Sequence, residues 1–379
     1  MNIGILIPGF SDGERDWCIP VYLNLVRTLA QSDSVRVFAL RYPPRRDSYS
    51  VFGAQVHAIG GNYRTAGLGR WLLLLRTIAE VLQQHRLQSF DVLHAIWADE
   101  TGFAACVAGR LIGVPVVVSL AGGELARLPD YGLQSGRVTR WLVSQALACP
   151  DRVIAPCQHA ADLAQHTALP ALRIARLEVV PLGVDTTLFT PVEGNKKRLL
   201  AVGSLTPVKG HDQLLQALTR LPDIGLDIVG EGPLLSRLRD LASSLGVAER
   251  VTFHGGVAHD ALPRFYQAAV LNILPSRHEA FGMVVVEAAA CGLPSVGFAL
   301  GVLAEIDGVG GIAVPPGDVE ALAAAIRHLL DDPARLAACR QAARHLAETR
   351  YSLRSMTEGL RDVYCRTIGA SGTSSRRDR

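Results

Sequence analysis

Short apolar runs alternate along the chain with segments whose apolar residues recur at helical spacing, and the rhythm holds nearly from end to end. Alternation of this kind predicts βαβ units and mostly parallel sheets, an α/β fold. In the first half, strands are expected near Ile3–Ile7, Val35–Leu40, Val92–Ala95, Val114–Leu120 and Arg152–Ala155. Helical stretches at Pro20–Ala30, Trp71–Gln84 and Thr101–Leu111 lie between them. The second half restarts the pattern with Arg198–Val202, Leu226–Val229, Val251–His254, Val270–Leu274 and Ser295–Phe298. Helices at Val319–Leu330, Pro333–Glu348 and Leu353–Thr367 close the chain.

The restart divides the chain. The turn-rich stretch from Pro181-Leu182-Gly183-Val184-Asp185 through Pro191 and Gly194-Asn195 reads as a linker. The expected organisation is therefore a first domain over 1–182, a linker over 183–197 and a second domain over 198–350. A final helix over 351–368 would pack back on the first domain, and 369–379 would form a disordered tail. A length of 379 residues agrees with two cores rather than one.

Composition narrows the class. With 49% hydrophobic and 19% charged residues, the chain has ample material for folded cores. A formal net charge of +3, with no basic block outside Arg376–Arg379, gives no reason to expect nucleic acid as a partner. Cys18, Cys106, Cys149, Cys157, Cys291, Cys339 and Cys365 contain no C-x-x-C pair, which argues against a disulfide framework or a zinc site. Reduced thiols, no secretory leader and no long apolar run predict a cytoplasmic protein. Arg64, Arg70, Trp71 and Arg76 flank the run Leu72–Leu75. That segment reads either as a packed helix with a basic edge or, for a lipid acceptor, as a peripheral contact at the inner face of the membrane.

The segment with the most chemistry is Pro275-Ser276-Arg277-His278-Glu279-Ala280-Phe281-Gly282-Met283-Val284-Val285-Val286-Glu287, continuing to Pro294. An apolar strand delivers Glu279 into a loop at the carboxyl edge of a parallel sheet, where open α/β folds bind ligands. Gly282 permits close backbone approach, and the helix that follows offers N–H groups and a positive dipole end to a diphosphate. Glu287, farther along that helix, is placed to accept hydrogen bonds from a diol. Upstream, Val202-Gly203-Ser204-Leu205-Thr206-Pro207-Val208-Lys209-Gly210 puts a lysine just after a strand, where its charge can offset that of a departing diphosphate. Read bare, the two acids could equally be a solvated loop acid and a surface helix acid.

The run Glu279–Pro294, together with Pro315-Pro316-Gly317-Asp318, Phe189 and Pro181–Asp185, resembles the donor-site signature of the retaining glycosyltransferases of family 4, the glycosyl transferases group 1. The resemblance implies the GT-B fold: two Rossmann-like domains facing each other across a cleft. It further implies transfer of a sugar from a UDP- or GDP-sugar to a hydroxyl of a sugar, glycan or lipid-linked acceptor, in cell-surface glycan or glycolipid synthesis. In that frame Glu279 and Lys209 are the catalytic pair. Glu287, Ala280, Phe281, Gly282, Met283, Val284, Gly203, Ser204, Val257 and Gly9 form the donor site. His94, Trp97, Gly122 and Glu124 are candidates for the acceptor side.

Two positions depart from the family pattern: Ser204 stands where members often carry an arginine, and Ala121 where they carry a histidine. No two aspartates stand two apart, so the D-x-D that usually carries a divalent metal is absent. Metal-independent catalysis without a cofactor is expected. The competing readings are another GT-B enzyme, such as a nucleotide-sugar epimerase or a phosphorylase, and a non-catalytic nucleotide-sugar-binding subunit.

Overall fold

The computed structural model describes residues 1–125, 136–167, 176–192 and 198–374. Gly194 and Asn195 of the expected linker, and 375–379 of the expected tail, lie outside the described residues. The chain forms two compact units.

The first unit comprises Met1–Pro156, Ala160–Pro181 and the C-terminal stretch from Leu353. In chain order it holds β1 (Asn2–Gly9), α1 (Pro20–Leu29), β2 (Ser34–Tyr42), β3 (Arg46–Val51), β4 (Ala54–Ile59), α2 (Gly67–Leu87), β5 (Val92–Ile96), α3 (Glu100–Ile112), β6 (Val116–Ser119), α4 (Arg137–Ala148) and β7 (Arg152–Ala155). Helix α5 (Gln158–Thr167) and strand β8 (Leu177–Val179) follow. Its sheet has the order β3-β4-β2-β1-β5-β6-β7-β8 among the described residues. Every pairing is parallel except β3 with β4. The central strand β5 is buried throughout, as a strand covered on both faces must be.

The β3–β4 hairpin is absent from the apolar pattern. Arg46, Asp47, Ser48 and Ser50 of β3 are polar and three of the strand's first residues are exposed at the sheet edge, so no hydrophobic period marks it. Phe52 and Gly53, both at positive φ, turn the chain between the two strands.

The second unit, Cys157–His159 with Leu182–Ser352, holds β9 (Arg198–Val202), α6 (His211–Leu218), β10 (Gly225–Val229), α7 (Leu235–Ser244), β11 (Val251–Phe253), α8 (Pro263–Ala268), β12 (Ala269–Leu274), α9 (Met283–Ala290), β13 (Ser295–Phe298), β14 (Gly311–Val314), α10 (Val319–Leu330) and α11 (Pro333–Thr349). Its sheet is fully parallel in the order β11-β10-β9-β12-β13-β14 among the described residues. Asp318 and Asp332 cap α10 and α11 by accepting from Ala321 N at 2.8 Å and Arg335 N at 2.9 Å. The reversal of order between β9 and β12 is the switch point at which the loops of parallel sheets diverge and leave room for ligands.

The last helix, α12 (Leu353–Ser374), belongs to the first unit. Tyr364 donates or accepts at 2.7 Å with His94 Nδ1 beneath the sheet, and Arg361 pairs with Asp33, which also accepts from the N-terminal amine at 2.8 Å. The helix continues to Ser374, so 369–374 is helical where the sequence pattern ends the element.

Candidate active site

In the second unit, the carboxyl ends of β9, β10, β11 and β12 converge through glycines. Gly203 N donates to Val229 O at 2.9 Å, Leu205 N to Glu231 O at 2.9 Å and Gly230 N to Gly255 O at 2.8 Å. Gly210, at φ +64, lies so close to Pro275 that a Cβ would come within 1.9 Å of its carbonyl oxygen. Only glycine allows the loop after β9 to rest on the end of β12.

That approach brings the two expected catalytic side chains together. Lys209 Nζ donates to Glu279 Oε2 at 2.7 Å, and Ser276 Oγ lies 3.3 Å from the same oxygen. Both side chains are partly buried, at 28% and 14% exposure, so the pair is neither a loose surface contact nor sealed from a ligand. Gly203 lines the aliphatic stem of Lys209, 3.7 Å from where its Cβ would stand. Ser204 is exposed, with its hydroxyl 3.3 Å from Thr206 Oγ1, and puts no cation in the place of the family's arginine.

A second clamp, which sequence reading missed, holds the same two loops. Arg277 grips Asp212 with both terminal nitrogens, at 2.8 and 2.7 Å, and donates to Pro207 O at 2.8 Å. Burial alone would raise the Asp212 carboxyl, but the Arg277 guanidinium holds it below the usual range; the hydrogen bond to Asp212 raises Arg277 in turn. Arg277 sits inside the quoted motif, yet nothing in its spacing names Asp212, sixty-five positions away, as partner.

Gly282, at φ +93, forms the N-terminal boundary of α9, and Met283 and Val284 open its first turn. The first N–H groups of a helix lack intrahelical partners, so this turn presents donors and a positive dipole end. Ala280 and Phe281 are different. The Phe281 ring is buried 6.1 Å from Tyr351, its carbonyl accepts from Val302 N at 2.7 Å, and the Ala280 carbonyl accepts from Cys157 Sγ at 3.0 Å. These two residues brace the loop from behind, and their side chains are core.

Glu287 is buried, not a surface acid. Tyr266 donates to its Oε2 at 2.7 Å, and His259 Nε2 stands 3.2 Å from its Oε1. Phe189 packs edge-on against both partners, with ring centroids 5.9 and 5.3 Å away. Burial first, and then the adjacent carboxylate, push the Tyr266 phenol well above its ordinary range, so it remains a donor. A diol reaching Glu287 would share a carboxylate that already has these partners. Val257, half-buried, lies in the loop after β11 that Gly255 ties to Gly230.

In the first unit, Trp97 follows β5 at φ +76, an uncommon conformation for a bulky residue, and lines a cavity of about 460 Å³. Pro8 and Tyr63 share the wall, as do Arg41, Arg70 and Glu100. Glu100 is held by Arg41 at 2.6 Å and by Arg70 at 2.8 Å. Asp99, also on the wall, is pushed up to about 7 by burial, although Thr101 N donates to it at 2.9 Å. Gly9 lies beside this region, with Tyr63 Oη 2.9 Å from where its Cβ would be.

The other three acceptor-side candidates have partners within the first unit. His94 lies in the core: its Nε2 meets Ser119 Oγ and its Nδ1 meets Tyr364 Oη, each at 2.7 Å, and it is not among the residues that line the Trp97 cavity. Glu124 folds back on its own turn, accepting from Ala121 N and Gly122 N at 2.7 Å each. Burial raises its carboxyl above the usual range. Gly122 serves that turn. Arg41, Asp99 and Glu100 on the cavity wall were missed by sequence reading; an acid pair opening a helix carries the same signature as ordinary capping.

Among the described residues, no three His, Cys, Asp or Glu side chains gather as a metal site, and no helix is long and apolar enough to cross a membrane.

Two family models divide the chain between them: "Glycosyl transferase 4-like domain" over residues 19–183 and "Glycosyl transferases group 1" over 189–346. A D-inositol 3-phosphate glycosyltransferase of Acidothermus cellulolyticus is 34% identical over 308 residues, which is 73% of this chain and 67% of that protein. The chain belongs to glycosyltransferase family 4. A GDP-mannose-dependent alpha-(1-6)-phosphatidylinositol monomannoside mannosyltransferase of Mycolicibacterium smegmatis is 38% identical over 212 residues, 49% of this chain. The match spans only 55% of that relative's length. Among solved structures, sucrose-phosphate synthase from Thermosynechococcus elongatus matches with a TM-score of 0.81 at 20% identity, covering 98% of this chain and 100% of that one. The Anabaena HepE protein in complex with UDP-glucose matches at 0.72 and 20%, covering 95% and 98%. The fold of this family 4 member is GT-B, two Rossmann-like domains.

Proposed function

We propose that the chain transfers a glycosyl group from a nucleoside-diphosphate sugar to an acceptor hydroxyl, with retention at the anomeric carbon and without a metal. The observation that carries the reading is the Lys209–Glu279 pair, held at 2.7 Å beside the first turn of α9. A cation, a helix dipole and a carboxylate at one sheet edge suit a ligand that is anionic at one end and polyhydroxylated at the other.

As the bond from the anomeric carbon to the diphosphate oxygen breaks, negative charge grows on the leaving group. Lys209 and the N–H groups of Met283 and Val284 stabilise it there, where stabilisation acts on the transition state. Glu279 orients the sugar hydroxyls and steadies positive charge on the ring. The acceptor oxygen bonds to carbon on the face the diphosphate leaves, and its proton passes to the departing phosphate oxygen. Glu287 holds the ribose, main-chain groups at Val257 read the base, and the acceptor occupies the cavity lined by Trp97.

One relative's name includes GDP-mannose, and the solved HepE complex contains UDP-glucose, so both nucleotides belong in the test. The decisive experiment follows the anomeric proton by NMR during transfer from UDP- and GDP-sugars in the presence of a chelator. An axial product from an axial donor supports the reading. An inverted product, or activity only after a divalent ion is restored, overturns retention or metal independence respectively.

A further inference from the structure

Helix α2 is apolar on two sides. It buries Leu73, Leu74, Thr77 and Val81 against its own unit. On the other side Leu68, Leu72 and Leu75 are 83%, 54% and 63% exposed, with Trp71 beside them. That spacing is one helical stripe, and it faces solvent. The stripe continues onto α4, where Val138 and Trp141 are also exposed. Trp71 and Trp141 lie 6.3 Å apart, and Phe103 packs against both, joining the two helices into one apolar face. Contiguous patches of this kind are rare on soluble monomers unless something covers them.

The exposed charge on the segments that carry these apolar residues is basic. Arg64, Arg76, Arg137 and Arg140 are exposed on the same segments, while the sequence holds no acid from Ser48 to Ala79 or from Gly136 to Pro150. The face also borders the cavity. Arg70 and Thr139 line that cavity and join α2 to α4, with Nη1 3.3 Å from Oγ1.

We propose that this face docks the first unit on an anionic lipid bilayer. Leu68, Trp71, Leu72, Leu75 and Trp141 enter the interfacial layer while the arginines meet lipid phosphates. A surface of exposed leucines and tryptophans bordered by arginines suits an interface of tails and anionic headgroups. The acceptor cavity would then open at lipid headgroup depth, which selects acceptors carried by the membrane. The docking stands apart from the glycosyl-transfer reading and is measured separately from it.

The full chain is sedimented with vesicles of phosphatidylcholine alone and of phosphatidylcholine with an equal part of phosphatidylglycerol. Binding to the anionic vesicles only, weakened by added salt, is expected. The double variants Leu72→Gln/Leu75→Gln and Arg137→Gln/Arg140→Gln should each lose about tenfold or more in partitioning. Their melting temperature and its rise with UDP or GDP should match the wild type, which shows that the fold and donor site survive. Equal sedimentation with both vesicles, no sedimentation at all, or variants that bind like the wild type would overturn the proposal. So would a wild-type dimer that the leucine variant dissociates, since the face would then belong to a second copy of the chain.

Discussion

Lys209 Nζ and Glu279 Oε2 meet at 2.7 Å across seventy positions of sequence, because Gly210 lets one loop lie directly on the end of the neighbouring strand. Each charge is held by the other at one sheet edge.

Removing the ammonium should therefore cost rate more than fold. Lys209→Ala is expected to lower kcat/KM for transfer by about a hundredfold or more, the scale of losing one preorganised charge partner. Lys209→Arg should recover only part of it, since a planar fork does not replace a point charge. Initial rates over a range of donor concentration check both.

Gly210 tolerates no side chain. With φ at +64 and Pro275 O only 1.9 Å from the position of a Cβ, Gly210→Ala must push β9 and β12 apart at their ends. A stability loss of at least about 2 kcal/mol is expected, read as a lowered denaturant midpoint.

The Arg277–Asp212 clamp is exposed, so it should matter to position rather than to stability. Arg277→Ala is expected to change unfolding free energy by less than about 1 kcal/mol while raising the donor KM. Calorimetry and donor titration on the same preparation separate the two effects.

Tyr266→Phe deletes one donor to a buried carboxylate. A loss of about 1–3 kcal/mol is expected from leaving Glu287 short of a partner. If Glu287 holds the ribose, the donor KM rises in the same variant while kcat changes little.

Burial lowers His94 from 6.5 to about 3, so the native state keeps the ring neutral where the unfolded chain protonates it. Stability from this residue is present above about 6.5 and is lost as pH falls toward 3. The unfolding midpoint of His94→Asn should thus lie below that of wild type at neutral pH, and the gap should narrow on acidification. Asp99, which titrates in the opposite sense, is common to both proteins and cancels in the difference.

The alternation of apolar runs and helical stripes is enough to infer parallel sheets, because strands covered on both faces must be apolar, as β5 and β12 are. The polar edge strand β3 escapes that logic. In the site, Glu279 and Lys209 are legible because each follows a strand end, where topology alone fixes the neighbourhood. Their mutual contact, the Arg277–Asp212 clamp and the Tyr266 partner of Glu287 depend on how loops distant in sequence fold over one another, and no local spacing encodes them. His94 misleads for the opposite reason: a polar residue within an apolar strand resembles a ligand when its partner, Tyr364, lies 270 positions away.

The return of α12 to the first unit makes that unit discontinuous in the gene. A chimaera spliced once near residue 182, intended to trade donor specificity between relatives, would give His94 and Asp33 a foreign helix in place of the one carrying Tyr364 and Arg361. A working exchange needs two junctions, the second between Ser352 and Leu353, so that the opening half of the chain travels with its own closing helix.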